Sequence, residues 1–404
     1  MAINLKDIKQ KIVLWNTLFP MVQPYYAVKC NPNPQILNIL AKSGAYFDCA
    51  SPAEIKMVKN VQQGNLEKVD VTRNEQQQQG MVESESMSSL SSLSTLSNTS
   101  EENDMRETIF EPSTHMEKII YANPCKTRGA IRVAKQQNVK WLVVDSVEEL
   151  IKVNEEYAEA KIFIRILVDD STSLCQFGKK FGLNPESNEL EAVLDEAKKR
   201  NMYIEGVSFH VGSGCSSAEA YRGALTHVRN VFEKAKRKGI DTLRVVDIGG
   251  GFPGDNMILL NQISNVVQEC IDTLFDEQTL FMAEPGRYFV TTSHTLICQI
   301  GTKKCIDGVT RYYLNDGVYC SLNNILHDHY EPVLSVVNGS TNLPTHKASM
   351  FGPTCDSIDT IFTNVDMPIL ELDSYIYFEN MGAYTSAAGT NFNGFDFPSL
   401  YYYD

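Results

Sequence analysis

A lysine inside a run of aromatic and β-branched residues is unusual, and YAVKCN places Lys29 there, beside Tyr26, Ala27, Val28 and Cys30. Burying an ammonium without a use is costly, so Lys29 reads as a functional amine within the first strand. Desolvation lowers a lysine's pKa, and such an amine can form a Schiff base. Asp48 in AYFDCAS ends the next apolar run and can orient that amine. DIGGGFPG, from Asp247 to Gly254, sets Gly249, Gly250 and Gly251 directly after the apolar LRVV. Consecutive glycines let backbone N–H groups approach an anion closely. EPGRYFV adds Glu284 and Arg287 around a Pro-Gly turn. A glycine cradle, an arginine and an acid together match a phosphate-bearing cofactor whose ring nitrogen needs an acidic partner.

Other segments offer weaker signals. FHVGSG carries His210, a ring that can stack on a cofactor, and Ser213, a hydroxyl for a phosphate oxygen; a lone strand histidine is otherwise a satisfied core residue. GPTCDSID presents Cys355 and Asp356 after a Gly-Pro turn. Most cysteines are inert core thiols, whereas one on a turn beside an acid is a candidate for proton transfer. The HDH of His327–His329 has no Cys or carboxylate cluster beside it, so no metal is expected. GAYTSAAGTNFNGF, with Tyr384 and Phe392, reads on its own as sheet core and turn.

The elements that must position these residues alternate. Short β-rich runs (PYYAVKC, AYFDCA, KIIYANP, WLVVD, KIFIRILV, YIEGVSFHVG, LRVVDIGG, LFMAEPG) are separated by amphipathic helices such as SPAEIKMVKNV and LEAVLDEAKKRN. That pattern predicts an α/β fold with a (β/α)8 TIM-like barrel over residues 1–293. An open doubly wound sheet is the alternative. From residue 294 the texture turns to short strands and Gly-rich turns, which predicts a C-terminal β-sandwich domain over 294–404. Residues 66–117 stand apart: rich in Gln, Ser and Glu, they cannot bury enough apolar surface to offset ordering entropy, and a disordered insertion is expected.

Composition excludes several classes. The 404 residues carry 36 basic and 50 acidic side chains, a net charge of −14, which argues against nucleic acid or an anionic membrane as partner. No stretch approaches the length of a membrane span. The 10 cysteines are scattered without a CxxC pair, so a reduced, cytoplasmic chain is expected.

Taken in order, YAVKCNPNP, FDCASPAEI, YANPCK, FHVGSGC, DIGGGFPG, EPGRYFV, NDGVY, GPTCDSID and ENMGAYT resemble the eukaryotic ornithine decarboxylases, pyridoxal-phosphate enzymes with an alanine-racemase-like barrel. The resemblance covers everything outside roughly Leu66–Glu117. It implies pyridoxal 5'-phosphate as cofactor and decarboxylation of L-ornithine to putrescine and CO2 through an external aldimine. It implies a homodimer with shared active sites. Lys29 matches the lysine that holds the cofactor, Glu284 the acid on the pyridine nitrogen and His210 the stacking ring. Ser213, Gly249, Gly250, Gly251, Arg287 and Tyr384 match the phosphate binders, and Asp48, Glu54 and Arg165 the polar groups beneath the cofactor. Asp328 and the partner-contributed Asp356 match the acids for the substrate's distal amine. Cys355 matches a partner thiol that protonates the product, and Phe392 a partner pocket residue.

Departures from the family pattern bear on three expectations. The family carries a further segment ahead of the one that opens this chain, so the sandwich is expected to lack an N-terminal contribution. HDHYEP has His327 where the animal enzymes have Tyr, which alters the specificity segment but keeps Asp328. The helix EELIKVNEEYAEAK is acidic where an antizyme-binding surface is expected to be basic, which argues against antizyme binding. The alternatives are a decarboxylase of lysine or arginine, or an inactive regulator like the antizyme inhibitors. Retention of Asp328 favours ornithine, and retention of Lys29, His210, Glu284, Arg287 and Cys355 disfavours the regulator.

Overall fold

The computed structural model describes residues 1–65, 116–336 and 344–404, so the insertion expected over 66–117 falls almost wholly outside the described residues. Eight strands, Val22–Ala27, Tyr46–Cys49, Ile119–Tyr121, Trp141–Val144, Lys161–Arg165, Tyr203–Ser208, Val245–Asp247 and Leu280–Ala283, pair in parallel in chain order. The last pairs with the first, Phe281 beside Val22, and closes a barrel. These are the apolar runs picked out in the sequence, and both faces of most of them are buried, as parallel strands between two packed layers require.

Period-2 alternation sorts their side chains into two cores. Tyr25, Tyr46, Trp141, Phe163, Val245 and Met282 form one cluster. Their neighbours Tyr26, Phe47, Leu142, Ile162 and Val246 join the larger core shared with the helices. The first set therefore fills the barrel interior. There Tyr25 meets Tyr46 edge to face at 5.3 Å and Trp141 lies 4.9 Å from Phe163. An interior packed with rings is a core and not a pore, which leaves the C-terminal rim to carry chemistry.

The helices start where short polar residues cap them. Asn33, Ser51 and Ser146 accept N–H bonds at the heads of Pro34–Lys42, Pro52–Gln62 and Val147–Glu156, and proline follows the first two caps. Glu219–Arg237 turns Tyr221, Leu225, Val228 and Val231 onto the barrel wall.

Beyond the barrel, an eight-stranded sheet is built around the long strand His294–Ile306. Its first half pairs with Tyr375–Phe378 and its second half with Val309–Leu314, with a register irregularity between Ile300 and Thr302. Both halves share one core that includes Leu296, Ile300, Tyr312, Met350 and Phe378, so the sheet closes over itself in two connected layers. Ala2–Asn4 lies antiparallel to the start of the long strand and parallel to Tyr401–Tyr403. The Met1 ammonium donates to the Ser399 carbonyl at 2.8 Å. The chain's first residues thus form a strand of this sheet.

Candidate active site

Lys29 does not sit within a strand, as the sequence suggested; Val22–Ala27 ends before it and Lys29 occupies a single 3-10 turn, Val28–Cys30, at the rim. Its Nζ donates to Asp48 Oδ2 at 2.7 Å, across the neighbouring strand. The Asp48 carboxyl is fully buried, while Lys29 keeps 42% of its side-chain surface open to a cavity of about 440 Å³. Burial pulls the Lys29 pKa down, but Asp48, with Tyr384 and Glu284, outweighs it and the net shift is upward. This corrects the sequence expectation of a lysine made basic-site-neutral by desolvation: in this protein Lys29 rests as an ammonium, matched by Asp48.

Gly249 adopts φ +63°, and a Cβ there would collide with the Phe209 carbonyl. A Cβ on Gly250 would stand 2.7 Å from His210 Nε2. The turn is tied from both sides. Asp247 Oδ1 accepts the Gly249 N–H at 2.9 Å, and the Gly249 carbonyl accepts the Glu284 N–H at 2.6 Å. Tyr221, from the helix behind, donates its hydroxyl to the Gly250 carbonyl at 2.9 Å. Gly250, Gly251, Ser213 and Arg287 surround a small recess that adjoins the cavity.

Arg287 heads the four-residue helix Arg287–Val290 and donates from Nη2 to Ser213 Oγ at 2.9 Å and Asp328 Oδ1 at 2.8 Å. Burial opposes its charge, yet Asp328 more than compensates and the guanidinium is held more firmly protonated. It lies 5.2 Å from the centre of the Tyr384 ring. Tyr384 has φ +54°, a conformation unfavourable for an aromatic residue and found where a side chain must be aimed.

His210 lies two residues past the end of its strand, Tyr203–Ser208. Its Nδ1 accepts the Gly212 N–H at 2.9 Å, which leaves the proton of the neutral ring on Nε2. Burial, reinforced by Arg165 and Lys29, pushes its pKa well below the usual histidine range. Ser213 belongs to a short strand, Ser213–Cys215, paired antiparallel with Ser173–Cys175 in a two-stranded sheet. Burial pushes Glu284 well above the carboxylate range, helped by Asp247 and Asp48, and raises Asp247 as well.

Lys29, Asp48, Arg165, His210, Ser213, Glu284, Asp328 and Tyr384 therefore share one cavity. Glu54 does not line it; its Oε2 accepts the Ala50 N–H at 2.6 Å and steadies the turn after Asp48, and burial raises its pKa to about 7. Cys355, Asp356 and Phe392 are not brought to the cavity of their own chain. They gather elsewhere. Tyr319 stacks on Phe392 at 4.5 Å and donates its hydroxyl to Asp356 Oδ2 at 2.6 Å, and the Cys355 N–H donates to Asn393 Oδ1 at 3.1 Å.

Sequence reading missed several residues at this site. Phe177 stands edge-on to His210 at 4.8 Å, its loop pinned where Asp170 Oδ2 accepts the Phe177 and Gly178 N–H groups. Phe181 lies under the Arg165 guanidinium, and Cys175 borders Asp328. Nothing in the local pattern announces these: Phe177 and Phe181 sit on a loop, and Cys175 ends a strand of only three residues. Asp247, by contrast, was visible at the head of DIGGGFPG without a role.

The orphaned Glu284 Oε1, the side-chain-free glycine turn and the paired Lys29 suit a cofactor with a phosphate, an aldehyde and a basic ring nitrogen. A closed parallel barrel with that rim defines a pyridoxal-phosphate barrel enzyme. The chain matches the family described as pyridoxal-dependent decarboxylase, pyridoxal binding domain, over residues 5–106 and 101–291, and it belongs to that family. A probable ornithine decarboxylase of Dictyostelium discoideum is 37% identical over 96% of this chain and 76% of its own length. The ornithine decarboxylase of Schizosaccharomyces pombe is 33% identical over 99% and 82%. Among solved structures, the arginine decarboxylase of Paramecium bursaria Chlorella virus superposes with a TM-score of 0.82 at 29% identity, covering 100% of this chain and 95% of that one. A lysine/ornithine decarboxylase of Vibrio vulnificus complexed with putrescine gives 0.79 at 26%, covering 100% and 93%. No helix among the described residues is long and apolar enough to cross a membrane.

Proposed function

We propose that this protein decarboxylates L-ornithine to putrescine and CO2, the first step of polyamine synthesis, as a cytoplasmic homodimer. The observation that carries this reading is the Lys29–Asp48 pair opening into one cavity with the glycine–arginine recess and Asp328. Lys29 is the amine that holds pyridoxal phosphate. Arg287, Ser213, Gly249, Gly250, Gly251 and Tyr384 hold the phosphate, Glu284 faces the ring nitrogen, and neutral His210 stacks on the ring. Asp48, Arg165 and Glu54 form the polar floor, and Asp48 keeps the amine charged until carbonyl chemistry needs it free. When bound, the cofactor supplies the electron sink for the pair left on Cα as CO2 departs.

Asp328 holds the distal ammonium of the substrate. An acid at that point rejects a substrate that cannot pair with it, since a closed polar site penalises unmatched charge. Cys355, Asp356 and Phe392 serve the neighbouring subunit's site, with Cys355 returning a proton to Cα. Their clustering on a face apart from their own cavity supports that assignment, since a shared site needs such residues to point outward. The same reading divides the chain near residue 293 into a cofactor barrel and a sheet domain. The structural likeness to arginine and lysine decarboxylases keeps a longer cationic substrate as the second reading.

Subunit mixing tests the proposal. Lys29→Ala and Cys355→Ala should each be inactive on ornithine, and an equal mixture should recover about a quarter of wild-type activity, because half the dimers are mixed and each mixed dimer has one intact site. No recovery on mixing would reject the shared site.

A further inference from the structure

The ring of His210 is held at Nδ1, which accepts the Gly212 N–H at 2.9 Å. The torsion that sets a histidine's ring plane is broad, so a bond at one atom does not settle the plane. Two neighbours bound it. Gly250 comes so close that a Cβ on it would stand 2.7 Å from Nε2. Phe177 meets the ring edge to face, with centroids 4.8 Å apart and planes inclined at 78°. That is a favoured aromatic geometry, in which a positive edge meets a negative face.

Phe177 is itself tied down. Asp170 Oδ2 accepts its N–H at 2.6 Å and the Gly178 N–H at 2.8 Å. Upstream, Ser173–Cys175 pairs with Ser213–Cys215, Cys175 opposite Ser213. Ser173 Oγ donates to the Val211 carbonyl at 2.5 Å. Gly212, at φ +91°, packs so tightly that a Cβ on it would stand 2.5 Å from Ser173 Cβ. The loop that carries Phe177 is therefore stapled to the same segment that carries His210 and Ser213.

We infer that Phe177 is a positioning residue that sets the plane of the His210 ring, with Asp170 holding Phe177 in place. Only the identity of what the ring stacks on, the pyridine of pyridoxal phosphate, rests on the proposed function. Offset stacking needs two parallel planes, so a ring that turns away part of the time weakens binding by that fraction. The same plane keeps Nδ1 aimed at the Gly212 N–H, which fixes the proton of the neutral ring on Nε2. Burial, with Arg165 and Lys29, keeps the ring uncharged, so its tautomer reports its plane.

The test uses the full-length protein, cofactor-free and loaded. Phe177→Tyr keeps the ring, Phe177→Ala removes it, and Asp170→Ala releases the loop with Phe177 still present. Phe177 is only half-buried, so its truncation spares the barrel core. Histidine is labelled with ¹⁵N and ¹³C, and the His210 signal is assigned by its loss in His210→Asn. In the cofactor-free protein at neutral pH, wild type and Phe177→Tyr should show a single Nε2–H tautomer. Both alanine variants should show a mixture, with the other tautomer at roughly a tenth. Equilibrium dialysis of pyridoxal phosphate should find affinity about 5-fold weaker in both alanine variants, the scale of one aromatic pair, and within about 2-fold of wild type in Phe177→Tyr. On loading, the His210 Cε1–H should move upfield in wild type under the pyridine ring, and by less in the alanine variants. A single tautomer in either alanine variant, or a Phe177→Tyr protein that behaves like Phe177→Ala, would overturn the inference. If the tautomers respond as expected but wild type shows no upfield movement on loading, the cofactor stacking falls and the ring-plane role of Phe177 stands.

Discussion

Replacing Asp48 by asparagine should free the Lys29 amine at a lower pH. In the native site the Nζ–Oδ2 separation is 2.7 Å and the carboxyl is fully buried. At an effective dielectric of ~20, opposite unit charges at such a distance attract by roughly 6 kcal/mol. Lys29 keeps 42% of its side chain open, so solvent screens much of that. Discounting by about half leaves ~3 kcal/mol, which at 1.36 kcal/mol per unit is a shift of ~2 pKa units. The direction is downward, because burial already disfavours the ammonium and Asp48 is the largest group opposing it. The measurement is pulse trapping of the cofactor-free protein with a small aldehyde and borohydride over a pH series, with the Lys29 peptide quantified by mass spectrometry. At a fixed pH of about 9, where the amine is mostly protonated in both proteins, Asp48→Asn should label about 100-fold faster than wild type, the rate equivalent of ~2 pKa units. Coincident labelling curves would refute the view that Asp48 governs this amine.

Two further outcomes follow from the packing. Gly250→Ala places a methyl group against His210 Nε2 and the Glu284 carbonyl, and should lower cofactor affinity about 10-fold with the fold intact; unchanged affinity by equilibrium dialysis would contradict the cradle. His294 is buried between Asn31, whose amide faces Nε2 at 3.1 Å, and Ser293 at Nδ1, so a second proton finds no acceptor and burial lowers the pKa to about 4. The unfolded chain, with a histidine pKa of ~6.5, takes up that proton first, so stability from this site is present above ~6.5 and lost as pH falls toward the folded value. The loss should total about 3 kcal/mol, seen as a slope in denaturant midpoints that flattens in His294→Gln; superimposable slopes would reject it.

The barrel was legible because a parallel strand buried on both faces must be written as an apolar run, and KIFIR or WLVV has few other readings. Lys29 stood out for the same reason: a charge in such a run needs a purpose. Its partner Asp48 was read from the next apolar run, but the net charge was misread, since sequence does not show that the buried carboxylate at 2.7 Å outweighs desolvation. The rim residues Arg287 and Ser213 were visible through glycine turns, but the bond from Arg287 to Asp328 joins segments from the two parts of the chain and is a property of closure alone. Phe177 beside His210 was invisible because a loop position has no period to violate. The terminal strand Ala2–Asn4 was missed because three residues carry too little pattern, and its place is fixed by the long strand and the Tyr401–Tyr403 tail.

The central claim is that Lys29 carries a pyridoxal-phosphate decarboxylation directed at ornithine. Release of CO2 from ornithine, lysine and arginine by the loaded wild type and by Lys29→Ala tests it most directly. The account predicts turnover of ornithine well above that of the longer substrates, and none of the three in Lys29→Ala. Equal or greater turnover of lysine or arginine would contradict the substrate assignment, and decarboxylation surviving in Lys29→Ala would contradict the mechanism.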